Sequence, residues 1–340
     1  MKVSVLTYFK LFQPMHDFTV LVLPGAFASS VALTLDILSA AASLAATVAC
    51  ATPRWRVVAM QGSVQLKHGM SIDAQILPKT ARPDGTTWVV PGLGMESPRA
   101  IKERLAQPDA LRAVQALQAH AQAGGSVAAS CSAVFLLQSA GLLAGRRVTT
   151  SWWLAPLLQQ LEPGCVVDAD RMVIRDGALV TAGAALAQTD LMLHLLSTQF
   201  SPALADAVSR ALLIDGRQSQ AQFIVPAMLA NGNELIAKLV SRFESALPDP
   251  PGVSALAAEF CMSERTLSRH VRAATGRSTS ALLQSVRLNK ARMLLETSKL
   301  TVEQVAERVG YVDTSALRRL MRKVTGVTPR QFRPAVSPPM

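Results

Sequence analysis

The chain has 340 residues, of which 50% are hydrophobic and 17% charged, and its formal net charge at pH 7 is +11. The hydrophobic fraction excludes an intrinsically disordered chain, and the length predicts two domains that each bury their own core. Residues 252–340 hold 15 Lys and Arg against 6 Asp and Glu, so most of the excess positive charge lies there. This segment favours an anionic partner such as DNA phosphate. On charge alone, a basic domain without such a partner is the alternative.

Nothing in the sequence indicates a metal site, a cofactor or a membrane anchor. The four cysteines are scattered along the chain: Cys50, Cys131, Cys165 and Cys261. Their spacing fits neither a metal site nor a disulfide framework, which favours a reducing compartment. The apolar run ending at Phe9 is too short for a signal peptide, and polar residues interrupt the apolar run 31–51. We therefore expect a cytoplasmic protein that does not engage a membrane and carries no cofactor.

Short strand patterns alternate with helical ones over the first 200 residues. Strands are predicted at 19–23, 55–60, 87–90, 126–129, 172–174 and 178–181. Helices are predicted at 29–46, 98–122, 132–140 and 186–199. This alternation predicts a parallel α/β sandwich. Residues 201–246 give a mixed helical pattern, and the proline-rich stretch 247–252 is predicted to be a stiff linker.

The C-terminal part contains an internal duplication. Residues Leu256-Ala257 match Val305-Ala306 at an offset of 49, whereas Leu267, Arg269 and Gly276 match Leu317, Arg319 and Gly326 at an offset of 50. Each copy predicts a short amphipathic helix, a tight turn and a second helix that carries Arg. The one-residue change in offset falls in the turn, where length is tolerated. A long helix at 280–296 is predicted to join the two copies.

Capping residues support these helix boundaries. Ser263 is placed to cap the Arg-bearing helix of the first copy, and Asp313 or Thr314 that of the second. Thr301 and Gln304 form a capping-box pattern before the second turn. Glycines stand where left-handed helix ends or turns are expected: Gly276, Gly310 and Gly326.

Four runs carry a family resemblance in this segment: 262–269, 287–295, 305–311 and 326–333. With them, the segment resembles the AraC/XylS DNA-binding domain across almost its whole length. Leu317 and Met321 stand where that family usually has phenylalanine, and since both are apolar we expect the core to persist. The resemblance implies that each second helix enters the major groove of double-stranded DNA, about one DNA turn apart.

The same resemblance implies which side chains face the base edges. They are Arg265, Ser268 and Arg269 in the first unit and Thr314, Ser315, Arg318 and Arg319 in the second. An arginine can bind guanine through two hydrogen bonds and so discriminate between bases. A phosphate contact or a solvated position is the alternative for each arginine.

The N-terminal part carries a second resemblance. Its residues are the stretch 129–133 around Cys131, the tract 140–152, and the strand ends Leu23-Pro24-Gly25 and Val90-Pro91-Gly92. They resemble the PfpI and class I amidotransferase-like fold, a flavodoxin-like parallel-sheet sandwich that GlxA-type regulators join to an AraC domain. The resemblance implies that Cys131 lies at the elbow between a strand and a helix, where a helix N-terminus lowers a thiol pKa.

An elbow cysteine needs a base to act as a nucleophile. Ser151 stands where this branch commonly has histidine, and the five histidines are all distant from Cys131 in sequence. We therefore predict a non-catalytic sensor domain whose cleft binds a small polar or amino-acid-like effector. The candidate lining residues are Asp36, Gly92, Leu93, Gly94, Cys131, Ser132, Ser151 and Trp152.

Three domains are predicted: a flavodoxin-like sensor at 17–200, a helical connector with the Pro-rich linker at 201–251, and an all-α double helix-turn-helix domain at 252–335. We expect a homodimeric transcription factor that contacts RNA polymerase if it is an activator. A thiol-dependent amidase or peptidase-like enzyme with a DNA-targeting domain is the first alternative, and a non-specific nucleoid-type binder is the second. The enzyme would lose turnover in Cys131→Ala, and the nucleoid-type binder would bind every sequence alike.

Overall fold

The structure is a computed structural model that describes residues 16–78, 84–95, 97–217, 219–220, 223–225, 228, 233–325 and 328–332. The chain divides into two compact units, one ending at Arg217 and the other beginning at Gln218. The first is an α/β sandwich and the second is all-α, as the sequence predicts.

A seven-stranded sheet forms the centre of the first unit. Its strands are β1 (Phe18–Leu21), β2 (Trp55–Ala59), β5 (Gln75–Ile76), β6 (Thr87–Val90), β7 (Val127–Ser130), β10 (Val173–Asp176) and β11 (Leu179–Ala182). Their order is β10-β11-β7-β6-β1-β2-β5, and all neighbours are parallel except β10 and β11. Two minor sheets pair β3 (Ser63–Gln65) with β4 (Ser71–Asp73) and β8 (Arg147–Val148) with β9 (Val166–Val167). The minor strands and β5 have two or three residues each, too few for a periodic signal.

Helices cover both faces of the sheet, so the central strands are buried on both sides and consist of continuous apolar runs. The helices are α1 (Ala28–Leu44), α2 (Pro98–Leu105), α3 (Pro108–Gln122), α4 (Val134–Ser139), α5 (Ala155–Leu161), α6 (Ala187–Gln199) and α7 (Pro202–Ala211). One core contains Trp88 and Phe135, and the other contains Phe18 and Ile37. The single helix predicted at 98–122 is wrong: it is two helices, because Pro108 lacks an N–H and opens a new helix.

One described helical stretch, Ala28–Val48, is long and apolar enough to cross a membrane by length and composition. In this fold α1 is a layer of the sandwich, packed against α6 and α7. Its buried side includes Val31, Ile37 and Leu38. This placement is that of a core helix.

The second unit consists of helices. They are α8 (Glu234–Ser245), α9 (Val253–Glu259), α10 (Glu264–Thr275), α11 (Thr279–Thr297), α12 (Val302–Arg308) and α13 (Thr314–Thr325). Leu317 and Met321 are fully buried beside Leu295 and Val305, which confirms that the core persists without the family's phenylalanines.

The proline-rich stretch 247–252 packs against the second helix-turn-helix. A Cβ on Gly310, in the turn between α12 and α13, would lie 2.2 Å from the carbonyl oxygen of Pro248. Arg242 of α8 forms two hydrogen bonds with Glu259 of α9. The stretch that precedes the duplication is therefore in contact with both of its copies.

Candidate nucleic-acid interface and effector site

The first helix-turn-helix is formed by α9 and α10. The Ser263 hydroxyl accepts a hydrogen bond from the Thr266 N–H at 3.1 Å, and Gly276 ends α10 with a φ of 69°. Both predicted caps are thereby confirmed. Leu267 and Val271 are fully buried, so the opposite side of α10 faces solvent. Arg265 and Arg269 are exposed there, whereas Ser268 is half-buried and accepts a hydrogen bond from Thr279.

The second helix-turn-helix, formed by α12 and α13, repeats this arrangement. Thr301 and Gln304 form the predicted capping box, and Gly310 has a φ of 80° in the turn. Asp313 accepts the Ser315 N–H at 2.8 Å, which makes it the capping residue of the two candidates. That hydrogen bond holds the pKa of the Asp313 carboxyl below its ordinary value. Gly326, predicted to end α13, lies outside the described residues.

The predicted base-facing residues of α13 lie on its solvent side. Ser315, Arg318 and Arg319 are exposed and Thr314 is half-buried. Residues three and four apart share a helix face, so Ser315 and both arginines form one surface. Arg265, Ser268 and Arg269 have the corresponding spacing on α10. All seven predicted residues therefore belong to the two recognition helices.

The linking helix α11 packs against α8 and the second turn through Arg287. Its 19 residues make it about 28 Å long, close to the roughly 34 Å of one DNA turn. The guanidinium of Arg287 lies 5.5 Å from the ring centres of both Phe243 in α8 and Tyr311 in the second turn. Burial raises the pKa of the Tyr311 hydroxyl. Arg287 therefore packs inside the all-α second unit of the chain rather than facing DNA.

In the first unit, Cys131 lies at the elbow between β7 and the short helical turn Cys131–Ala133, with a φ of 55°. Its thiol accepts a hydrogen bond from the Ser151 hydroxyl at 3.1 Å. Its backbone N–H donates to the Gly183 carbonyl at 2.7 Å, so this amide is engaged and does not point to an incoming anion. The Thr150 hydroxyl donates to the Cys131 carbonyl.

The loop after β6 closes over this cysteine. A Cβ on Gly92 would lie 2.9 Å from the Cys131 Cβ, and one on Gly94 would lie 2.6 Å from the Gly25 carbonyl oxygen. Lys67 Nζ donates to the Gly94 carbonyl at 2.9 Å and lies 4.9 Å from the centre of the Phe27 ring. The strand order reverses between β1 and β6, and parallel sheets bind ligands at such switch points. Here Phe27 and Lys67 contact the loop after β6 at that edge of the sheet.

Six predicted lining residues are buried at this end of the sheet: Gly92, Leu93, Cys131, Ser132, Ser151 and Trp152. Gly94 is half-buried beside them, and the Ser132 hydroxyl accepts the Met95 N–H at 3.3 Å. Asp36 is exposed on α1, whose buried face carries other residues, and so lies outside this cluster. Trp152 packs edge to face on Trp153, with ring centres 5.1 Å apart.

Two partly or fully buried histidines of this unit, His120 and His194, lie elsewhere. His120 stacks on Trp88 at 4.8 Å and lies 3.3 Å from the Ser126 carbonyl oxygen, near the start of β7 and opposite the cysteine. His194 is within α6. Burial lowers the pKa of both imidazoles. Among the described residues, no group of three or more His, Cys, Asp or Glu is arranged to hold a metal ion.

Comparison with known proteins matches residues 16–198 to the DJ-1/PfpI family. The chain belongs to the DJ-1/PfpI family. Residues 256–335 match a helix-turn-helix domain, so the chain joins a DJ-1/PfpI domain to an AraC-type domain, as the two resemblances imply.

Its relatives include the HTH-type transcriptional regulators CdhR of Pseudomonas aeruginosa and GlxA of Rhizobium meliloti. CdhR is 28% identical over 84% of this chain and 85% of its own length, and GlxA is 25% identical over 85% and 88%. A solved AraC family transcriptional regulator from Pseudomonas putida is 19% identical, covers 58% of this chain and 99% of its own, and has a TM-score of 0.47.

Sequence reasoning missed three residues that shape the two sites. Phe27 and Lys67 contact the loop around Gly92 and Gly94 in the DJ-1/PfpI domain, and Glu303 lies 3.1 Å from Arg318 in the AraC-type domain. No local pattern marks Phe27 or Lys67, because they come from separate loops. An alignment of the two copies could have drawn attention to Glu303, because the first copy has a serine, Ser254, at the matching position.

Proposed function

We propose that this AraC-type transcriptional regulator binds specific DNA sequences through α10 and α13. The observation that supports this proposal is the pair of capped recognition helices that carry exposed arginines at matching positions. Arg269 and Arg319 correspond in the duplication, and both are exposed. α11, about 28 Å long, joins the two helix-turn-helix units, and successive major-groove sites on one face of DNA are about 34 Å apart.

Selection of binding sites from random duplex DNA tests this proposal. The full chain should enrich a motif with two half-sites about 10 base pairs apart. Arg269→Ala should lose preference in one half-site and Arg319→Ala in the other, with about 1–3 kcal/mol of discrimination lost in each. The control is Lys299→Ala, which removes an exposed cation from the loop before α12 and should select the same motif. Failure of the unaltered chain to enrich any motif would leave only the non-specific binder.

We further propose that the DJ-1/PfpI domain is a non-catalytic sensor for a small polar or amino-acid-like effector. Polar groups at the carboxyl end of the sheet support this: the hydroxyls of Ser132 and Ser151 and the ammonium of Lys67. An effector that binds at Gly92 to Gly94 would replace the Lys67 hydrogen bond to the Gly94 carbonyl and the Phe27 hydrogen bond to the Gly92 carbonyl. Effector binding would therefore change the loops after β1 and β6.

Thermal unfolding with a panel of amino acids and quaternary ammonium compounds tests the sensor. A ligand at 100 times its Kd should stabilise the folded protein by about 2.7 kcal/mol. Ser132→Ala should weaken that shift, and a panel without any shift would contradict the proposal. Cys131→Ala should keep sequence-specific DNA binding. A thiol-dependent hydrolysis that disappears in this variant would instead support an amidase or peptidase.

The proposed function also bears on the oligomeric state of the protein and on where in the cell it acts. We propose a homodimer, because regulators that bind paired DNA sites commonly use two-fold symmetry. We propose that the protein acts in the cytoplasm and contacts RNA polymerase where it activates transcription. The proposed domain limits are 17–200 for the sensor, 201–251 for the connector and 252–335 for the DNA-binding domain.

A further inference from the structure

A basic groove of about 730 Å³ lies on the second helix-turn-helix, between α12, α13 and the C-terminal turn Pro329–Phe332. Four of its lining side chains are arginine and one is acidic: Arg318, Arg319, Arg322, Arg330 and Glu303. The C-terminal turn adds Arg330 to a helix face that already carries three arginines. This concentration of positive charge suits an anion the size of a phosphate.

The single carboxylate in the groove is held by one of the arginines. Arg318 Nη2 lies 3.1 Å from Glu303 Oε1, and the two side chains are 56% and 62% exposed. An exposed ion pair of this kind is weak, but it leaves Arg318 with less net positive charge for an anion from outside. Arg322 and Arg330 are exposed as well, and no Asp or Glu of the described residues lies within salt-bridge distance of either. Arg319 is exposed in the same groove and is assigned above to a base edge, so Arg322 and Arg330 are the remaining arginines of the described groove for an anion from outside.

The first helix-turn-helix has no equivalent of this arrangement. In the duplication, Ser254, Ser268 and Ser280 correspond to Glu303, Arg318 and Arg330, whereas Arg272 corresponds to Arg322. One arginine is therefore common to both helix-turn-helix units. The ion pair and the arginine of the C-terminal turn belong to the second helix-turn-helix alone.

We propose that Arg322 and Arg330 bind one backbone phosphate of DNA in this groove, and that Glu303 determines specificity by keeping Arg318 away from that phosphate. The proposal rests on the DNA-binding function proposed above. While Arg318 is paired with Glu303, it adds little to sequence-independent attraction. The Glu303 carboxylate repels a charged phosphate placed near Arg318, whereas a neutral base edge offers Arg318 two hydrogen-bond acceptors without that repulsion. Glu303 therefore lowers the affinity for unselected DNA more than for the selected site.

The phosphate contacts are tested by the salt dependence of binding. The full chain is titrated by fluorescence anisotropy onto a duplex of about 30 base pairs with scrambled sequence, at several salt concentrations. Each lost phosphate contact lowers the slope of log K against log salt by about 0.9. Arg322→Ala and Arg330→Ala should each show this loss. Lys323→Ala removes an exposed cation of α13 outside the groove and should keep the full slope. Equal slopes in all three variants would overturn the phosphate site.

The role of Glu303 is tested by Glu303→Gln. Its affinity for the scrambled duplex should rise by about two- to five-fold at about 50 mM salt, the range that an exposed ion pair supports. The affinity for the selected site should rise less, so the specificity ratio falls. In an Arg318→Ala background the gain should be smaller, because only the repulsion between Glu303 and phosphate is then relieved and the Arg318 guanidinium is no longer there to be released. A gain of equal size in that background, or no gain in either, would overturn the role of Glu303.

Failure of this proposal differs from failure of the proposed function. If the unaltered chain selects no motif, the specific regulator is wrong, yet the salt slopes still report on the phosphate site. If the chain selects a motif and the variants behave as Lys323→Ala does, only the groove assignment is wrong. All the substituted side chains are exposed, and equal unfolding temperatures confirm that the variants fold.

Discussion

Replacing Gly310 by alanine tests whether the proline-rich stretch is part of the DNA-binding unit. Gly310 has a φ of 80°, where an alanine costs about 1–2 kcal/mol relative to right-handed backbone. The new Cβ would also lie 2.2 Å from the Pro248 carbonyl oxygen, a backbone atom that cannot rotate away. Overpacking of this kind costs typically about 1–3 kcal/mol. We expect Gly310→Ala to lower the free energy of unfolding of the second unit by about 2–5 kcal/mol.

Two control variants separate these contributions in urea unfolding experiments. Gly145→Ala introduces alanine at a φ of 71° with nothing within 4 Å of its Cβ, so only the backbone cost of about 1–2 kcal/mol should remain. In Gly252→Ala the new Cβ would have nothing within 4 Å, and the backbone at Gly252 has a negative φ that alanine adopts readily. This variant should change the free energy of unfolding by less than about 1 kcal/mol. If Gly310→Ala is no more destabilising than Gly145→Ala, the Pro248 carbonyl does not pack on the turn in solution.

The first unit should lose stability as pH falls below about 6.5, because burial lowers the pKa of His120 in the folded state and the unfolded chain takes up the proton first. The loss should be smaller in His120→Phe, measured by urea unfolding across pH 5–8, and an unchanged profile would contradict it. Arg287→Ala removes a guanidinium stacked between two aromatic rings, and should destabilise the second unit by about 1–3 kcal/mol in the same assay. Arg287→Lys should not rescue it, since an ammonium cannot stack as a plane. Arg217→Ala leaves the Asp190 carboxylate, only 5% exposed, without its 2.6 Å partner, and should cost about 3–5 kcal/mol. Arg217→Ala with Asp190→Asn should recover most of that loss, and no recovery would show that the pair is not the cause.

Phe27 and Lys67 both contact the loop after β6: the Phe27 N–H donates to the Gly92 carbonyl at 2.9 Å, and Lys67 Nζ donates to the Gly94 carbonyl at 2.9 Å. A ligand that binds at this loop would have to replace those contacts, so its affinity would be reduced by the cost of moving the loop.

Local physical chemistry determined the helix-turn-helix units. Ser263 and the capping box at Thr301 act within three or four residues, and the duplicated apolar spacing defines each buried helix face. These signals are short-range, so the sequence alone predicted both recognition helices and their exposed arginines. The alternation of strands and helices likewise predicted the parallel sandwich. Pro108 is also a local signal. The helical pattern at 98–122 continues across it, but Pro108 has no N–H to continue a helix, so the prediction of a single helix was wrong.

Only the tertiary structure decided which distant residues meet. Lys67 reaches the Gly94 carbonyl across 27 positions, and Arg318 reaches Glu303 across 15. Neither pairing has a sequence period, because loops between elements set the approach and side-chain packing selects the partner. The same holds for Asp36, whose exposure depends on which side of α1 faces the sheet. The sequence by itself determined the two helices that carry exposed arginines, and packing between distant segments decided which of those arginines has an acidic partner.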